Sequence, residues 1–176
     1  MEGRKRNRMY GFDYSSDAIY FITICTKDKI HHFGKIQNGK VNLNEEGKIA
    51  EEQILWLKKQ YSYFELYNFV VMPNHIHLLF GISGNSKDYN FVEIPVEFRA
   101  SHELSLRNQP KIKSVSSLMG AFKTTVSKRI HQLGNLNFVW QRSFRNHIVR
   151  IQERHQQIDK YITNNPENWN KDKFYE

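Results

Sequence analysis

The run from Tyr63 to Ile82 constrains the fold of this chain more than any other stretch. Two segments rich in β-branched and aromatic residues, Tyr63–Val71 and His75–Ile82, are separated only by Met72-Pro73-Asn74. Such composition suits a pleated, buried surface. Proline cannot donate to a sheet ladder, so the three intervening residues predict a turn or bulge between two strands.

The flanking segments supply the rest of the pattern. Ala18–Thr26 (AIYFITICT) predicts a buried strand. Asn38-Gly39, between short flanking runs in Phe33–Leu43, predicts a tight hairpin. Asn44 can cap a helix whose first turn carries Glu45 and Glu46, favourable at the positive end of the helix dipole. Ala50, Ile54 and Leu57 give that helix an apolar stripe, ending near Gln60. Helical spacing returns over Ser114–His131, where Val115, Leu118, Met119, Phe122, Val126 and Ile130 share a face. Trp140–Arg150 contains a strand centred on Asn146–Val149, and a last helix runs from Gln152 to Asn164, stopped by Pro166.

Set aside the hairpin, and the order is βαββαβ plus one helix. This is the ferredoxin-like α+β arrangement, an antiparallel sheet with helices on one face and an added C-terminal helix. The 176 residues suit one domain. Residues 83–113 are weakly periodic and contain Pro95 and Pro110, which predicts a long loop or insertion with a short strand around Phe91–Phe98. Residues 1–10 form a basic N-terminal arm.

Charge narrows the partners. The net charge is +8, which favours a polyanion, since each neutralised phosphate releases condensed counterions. Candidate phosphate contacts are Arg4, Lys5, Arg6 and Arg8 in the arm, then Lys123, Lys128, Arg129, Arg142 and Arg145. A solvated surface is the plain alternative for each. One cysteine, Cys25, excludes an internal disulfide and fits a reducing cytosol. No stretch approaches the roughly 20 apolar residues of a membrane span, and the start lacks the apolar run of a signal peptide. The expected location is therefore cytoplasmic.

The chemistry concentrates in Asn74-His75-Ile76-His77. Alternate strand residues point to one face, so His75 and His77 project together and Ile76 opposes them. Two imidazoles on a rigid strand form two-thirds of a facial metal site. The competing reading is a pair of surface histidines on a strand edge. A metallo-β-lactamase pattern (H-x-H-x-D-H) does not continue into Leu78, Leu79 and Phe80. A two-histidine phosphodiesterase needs a second motif that His102 and His155 do not supply. Cupins are all-β. A basic binding module stays open.

Tyr161 and Asn165 stand one turn apart on the last helix and present a phenol and an amide together. Ile158 and Ile162 flank them, so packing as amphipathic core is the alternative. His155, on the same helix, is a weak candidate for a general base.

Taken in order, Pro73-Asn74-His75-Ile76-His77-Leu78-Leu79, the helix Ser116–Ile130, the stretch Trp140–Arg150 and Tyr161-Ile162-Thr163-Asn164-Asn165-Pro166-Glu167-Asn168-Trp169 resemble the REP-associated tyrosine transposases. These are relatives of insertion-sequence transposases that carry an HUH motif and one catalytic tyrosine. The resemblance spans Tyr20 to Trp169. It implies that His75 and His77 hold a divalent metal, Mg2+ or Mn2+, and that Tyr161 is the nucleophile. It also implies that Asn165 is an amide ligand where relatives often have Gln, one methylene longer. The implied activity is cleavage and rejoining of single-stranded or hairpin DNA through a 5′-phosphotyrosine, by a monomer or a helix-exchanged homodimer. A metal-dependent phosphodiesterase without covalent tyrosine, and a non-catalytic nucleic-acid-binding protein, are the other readings.

Overall fold

The computed structural model describes residues 17–83 and 112–175. The basic arm, the Phe91–Phe98 strand and all but the ends of the 83–113 insertion lie outside the described residues. Strands β1 (Ala18–Cys25), β4 (Phe64–Val71), β5 (His75–Ile82) and β6 (Arg145–Val149) form one sheet, in the order β4-β5-β1-β6. Every pairing in it is antiparallel. Helix α1 (Glu45–Gln60) follows β1, and helix α2 (Val115–Gln132) follows β5. This is the ferredoxin-like order expected from the sequence.

Strands β2 (Gly34–Gln37) and β3 (Lys40–Leu43) make a separate hairpin. Asn38 and Gly39 turn it, with φ of 52° and 69°. Two successive positive φ values give the primed turn that matches strand twist, and Asn-Gly adopts it at low cost. Helix α1 starts where expected, because the Asn44 side chain accepts from the Gly47 N–H at 2.9 Å. Ser114 caps α2 in the same way, accepting from Ser117.

The sheet is covered on both faces. Tyr20, Ile22 and Ile24 of β1 and Ile76, Leu78, Phe80 and Ile82 of β5 meet the apolar stripes of α1 and α2. Each fully buried aliphatic side chain there stabilises the fold by about 2 kcal/mol. Helix α3 (Gln152–Asn164) takes the opposite face, where Ile158 and Ile162 pack on Ile19, Leu79 and Val149. All eight residues of β5 are buried as a result.

Two local features set up the site. Residues 72–74 form the turn between β4 and β5, closed by Met72 N–H to His75 O at 2.8 Å. The carbonyls of Pro73 and Asn74 accept from Phe33 and Thr26, so the turn is anchored to the rest of the domain. In β4 the register shifts between Leu66 and Asn68, a bulge at Tyr67 that the residue pattern does not announce. Among the described residues, no helix is long and apolar enough to cross a membrane.

Candidate active site

Because side chains alternate along β5, His75 and His77 leave the α1/α2 core and face α3. Their neighbours follow from the register: His77 lies opposite Thr23 of β1 and Val70 of β4, and Thr23 lies opposite Arg145 of β6. The two Nε2 atoms approach to 3.1 Å. Each Nδ1 has its own partner, Asn74 Oδ1 at 2.8 Å for His75 and Thr23 Oγ1 at 2.9 Å for His77. His75 is 0% exposed and His77 1%. The surface-histidine alternative does not describe these residues.

Burial penalises the imidazolium. It pushes the pKa of His75 down to about 4, the nearby Lys173 charge acting in the same direction and Asp172 opposing. His77 falls well below its ordinary value for the same reason, with His75 and Lys173 adding to it. Both rings are thus neutral at pH 7, the state that ligates metals.

Helix α3 carries Tyr161 to this pair. The phenol oxygen stands 3.2 Å from His77 Nε2 and donates to Asp172 Oδ2 at 3.1 Å. The ring meets Phe21 edge-on, with centroids 6.1 Å apart. Tyr161 is 38% exposed, while Ile158 and Ile162 do the packing, so core filling does not account for its position. Burial of the hydroxyl and the adjacent Asp172 carboxylate raise its pKa, which keeps it protonated at neutral pH. A polar clamp fixes the helix: Asn68 Nδ2, next to the β4 bulge, donates to Asp159 Oδ1 at 2.6 Å and to Thr163 Oγ1 at 3.1 Å. His155 packs edge-on to Tyr67 at 5.0 Å instead.

Asn165 ends the helix and is buried. Its Nδ2 donates to Asp172 Oδ2 at 2.7 Å, whereas its Oδ1 is buried with no hydrogen-bond partner. Turning the amide over would set its oxygen against the carboxylate, so the orientation is dictated by charge. An orphaned buried carbonyl oxygen costs free energy and is itself a candidate ligand atom.

Asp172 is the residue that sequence reasoning missed. It follows the short 3-10 turn Trp169–Lys171, and its Oδ1 accepts from the Phe174 N–H at 2.7 Å. One ligand atom each from His75, His77 and Asp172 lie within 4.8 Å of one another, and the three could hold a metal ion. Two neutral imidazoles, a carboxylate and a free amide oxygen suit a divalent cation of intermediate softness. The signal was faint. In the polar tail after Pro166 only Trp169, Phe174 and Tyr175 are large and apolar, and the first two are buried. They pull the segment back over the strands, with the Phe174 ring 4.5 Å from the His75 ring.

The predicted basic residues divide. Arg145 is exposed and close to the cluster, its guanidinium 5.5 Å over the Phe174 ring. Arg142 is also exposed. Lys123, Lys128 and Arg129 sit on α2, which packs on the other face of the sheet from the histidines. Lys123 donates to the Gln141 and Arg142 carbonyls, and Arg129 pairs with Glu52 at 2.6 Å. Lys123 and Lys128 line an open groove of about 790 Å3 with His131, Phe138 and Val139.

No family model matches the chain. An uncharacterized protein of Haemophilus influenzae is 31% identical over 172 residues, covering 98% of this chain and 93% of that protein. A solved structure of a REP-associated tyrosine transposase bound to a REP hairpin is similar with a TM-score of 0.56 at 18% identity. The match covers 92% of this chain and 74% of that one. At that identity the likeness is one of fold.

Proposed function

We propose, of a chain that belongs to one family with the Haemophilus influenzae protein and has the fold of a REP-associated tyrosine transposase, that it cuts and rejoins single-stranded DNA through a covalent phosphotyrosine at Tyr161. One observation carries this reading: the Tyr161 hydroxyl lies 3.2 Å from His77 Nε2, within the His75–His77–Asp172 cluster. A phosphodiesterase that attacks with water does not require a phenol there.

His75, His77 and the Asn165 Oδ1 would hold a divalent cation, Mg2+ or Mn2+, with Asp172 completing the set in the resting chain. Imidazoles favour manganese of the two. When bound, the ion supplies positive charge that polarises the scissile phosphate. Tyr161 is the nucleophile: its oxygen bonds to phosphorus, the phenol proton passes to water, and the bond to the 3′ oxygen breaks. That oxygen takes up a proton and leaves as a 3′-hydroxyl. The strand stays on the protein as a 5′-phosphotyrosine. Attack by a 3′-hydroxyl reverses the step, so strands rejoin without an external energy source.

The clamp from Asn68 to α3 holds the phenol on this face, an orientation effect that removes entropy from the attack. Arg145, whose guanidinium lies over the Phe174 ring beside the cluster, is a phosphate contact close to the chemistry. The substrate is single-stranded or hairpin DNA, consistent with the net charge of +8 and with the hairpin on the similar transposase. The acting species is a monomer or a homodimer that exchanges α3. The setting is the bacterial cytoplasm, in DNA transposition or the processing of repeated hairpin elements.

Covalent capture tests the reading. The chain is incubated with labelled hairpin DNA and Mn2+ and run on a denaturing gel. Wild type forms a labelled adduct, and Tyr161→Phe forms none. A normal adduct from the Phe variant removes Tyr161 as nucleophile. Cleaved product without any adduct in wild type replaces this reading with the phosphodiesterase.

A further inference from the structure

The hydrogen bonds around the two imidazoles can run in only one direction. Asn74 Nδ2 donates to two backbone carbonyls, Lys29 O at 3.2 Å and Phe174 O at 2.8 Å. Carbonyl oxygens only accept, so the amide cannot be turned over. Its Oδ1 therefore faces His75 Nδ1, at 2.8 Å. That oxygen also only accepts, which places a proton on His75 Nδ1. The neutral ring then offers a bare Nε2 to His77 Nε2, 3.1 Å away. Two bare nitrogens cannot face one another at that distance, so within this hydrogen-bond network His77 carries its proton on Nε2. Its Nδ1 accepts, and the Thr23 hydroxyl at 2.9 Å donates. The same Nε2–H faces the Tyr161 oxygen at 3.2 Å, and the phenol O–H is directed to Asp172. Every donor has an acceptor.

A cation held by both rings through Nε2 would need a lone pair from each. His75 presents one already. His77 does not: one proton has to leave Nε2 and one has to arrive at Nδ1, with no change in the charge of the ring. Thr23 must then turn from donor to acceptor. A hydroxyl does both by rotation, whereas an amide oxygen or a methyl group cannot. We propose that Asn74 and Thr23 are positioning residues with different tasks. Asn74 holds His75 in its single ligand-ready form, and Thr23 is the reversible partner that lets His77 pass between a resting and an ion-binding form. The task of Thr23 rests on the metal reading above; that of Asn74 does not.

The test is spectroscopic and uses the full chain with 15N-labelled histidine. Two-bond 1H–15N correlations report which ring nitrogen carries the proton. Without metal, His75 is expected to be protonated at Nδ1 and His77 at Nε2. With Zn2+ as a diamagnetic probe, both become protonated at Nδ1. Thr23→Ser, which keeps the hydroxyl, retains Zn2+ affinity, and the isosteric Thr23→Val loses about 10- to 100-fold, the usual effect of removing a ligand's hydrogen-bond partner. A proton on Nε2 of His75 in the metal-free wild type overturns the task of Asn74. Equal Zn2+ affinity in the Ser and Val variants overturns that of Thr23. If Zn2+ leaves both rings unchanged, the metal reading and the task of Thr23 fall together, while the metal-free pattern still decides Asn74.

Discussion

The phenol oxygen of Tyr161 lies 3.2 Å from Nε2 of His77 across 84 residues of sequence. The contact exists because β5 sends its histidines away from the α1/α2 core and α3 covers the face they enter. Ile158 and Ile162 seat the helix, so Tyr161 is free to point along the sheet toward the imidazoles.

Replacing either imidazole separates chemistry from binding. His75→Ala and His77→Ala are expected to abolish cleavage of a hairpin oligonucleotide while hairpin retention stays within a factor of a few, since binding is spread over basic residues elsewhere. Gel retention and cleavage are measured on the same samples, with thermal unfolding as the folding control. Full cleavage by either variant removes the metal role.

The clamp on α3 gives a second expectation. Asn68→Ala deletes the bonds to Asp159 and Thr163 and should cost about 1–2 kcal/mol of stability. It should also speed amide hydrogen exchange in α3 and lower the yield of adduct. Unchanged exchange in residues 152–164 would show that the clamp does not hold the helix.

Acid should destabilise the fold in a defined window. His75 is held at about 4 against an ordinary 6.5, and His77 is lowered too. The unfolded chain therefore binds these protons first, and stability falls as pH drops below about 6.5, the His75 contribution being lost as pH falls through about 4. For His75 alone the loss is roughly 3 kcal/mol. Urea unfolding at pH 7, 5.5 and 4 measures it, and the double variant His75→Gln, His77→Gln should flatten the curve across that window. A double variant with the wild-type pH dependence contradicts the assignment.

Ionic strength tests the phosphate contacts. Hairpin affinity should fall steeply with salt, and Arg145→Ala should lower the slope of log affinity against log salt by about one. A flat titration in wild type argues against an electrostatic DNA surface.

Most of the fold is legible in the sequence because its signals are local. Asn44 before Glu45-Glu46, Asn38-Gly39, and the apolar stripe from Val115 to Ile130 each dictate their own element. The facing of His75 and His77 follows from strand alternation alone. The bulge at Tyr67 was not legible, since no glycine or proline marks it in Phe64–Val71. Asp172 was hidden for a related reason: no periodic pattern marks residues 167–176, and the carboxylate reaches the cluster only because Trp169 and Phe174 pack down around it.

On the proposed reading, the same packing would make DNA a competitor for the cluster. His75 and His77 are 0% and 1% exposed, with the Phe174 ring against His75 and the Phe174 carbonyl held by Asn74. For a scissile phosphate to reach the imidazoles, residues 172–174 would have to withdraw, and strand and C-terminal segment would then exclude one another by mass action. Measured affinity is then the intrinsic affinity multiplied by the fraction of chains whose segment has withdrawn. A chain open about one part in a hundred binds roughly a hundredfold more weakly than its contacts alone would dictate. Substitutions at Trp169 or Phe174, which anchor that segment, would then tune the proposed activity alongside those at Tyr161.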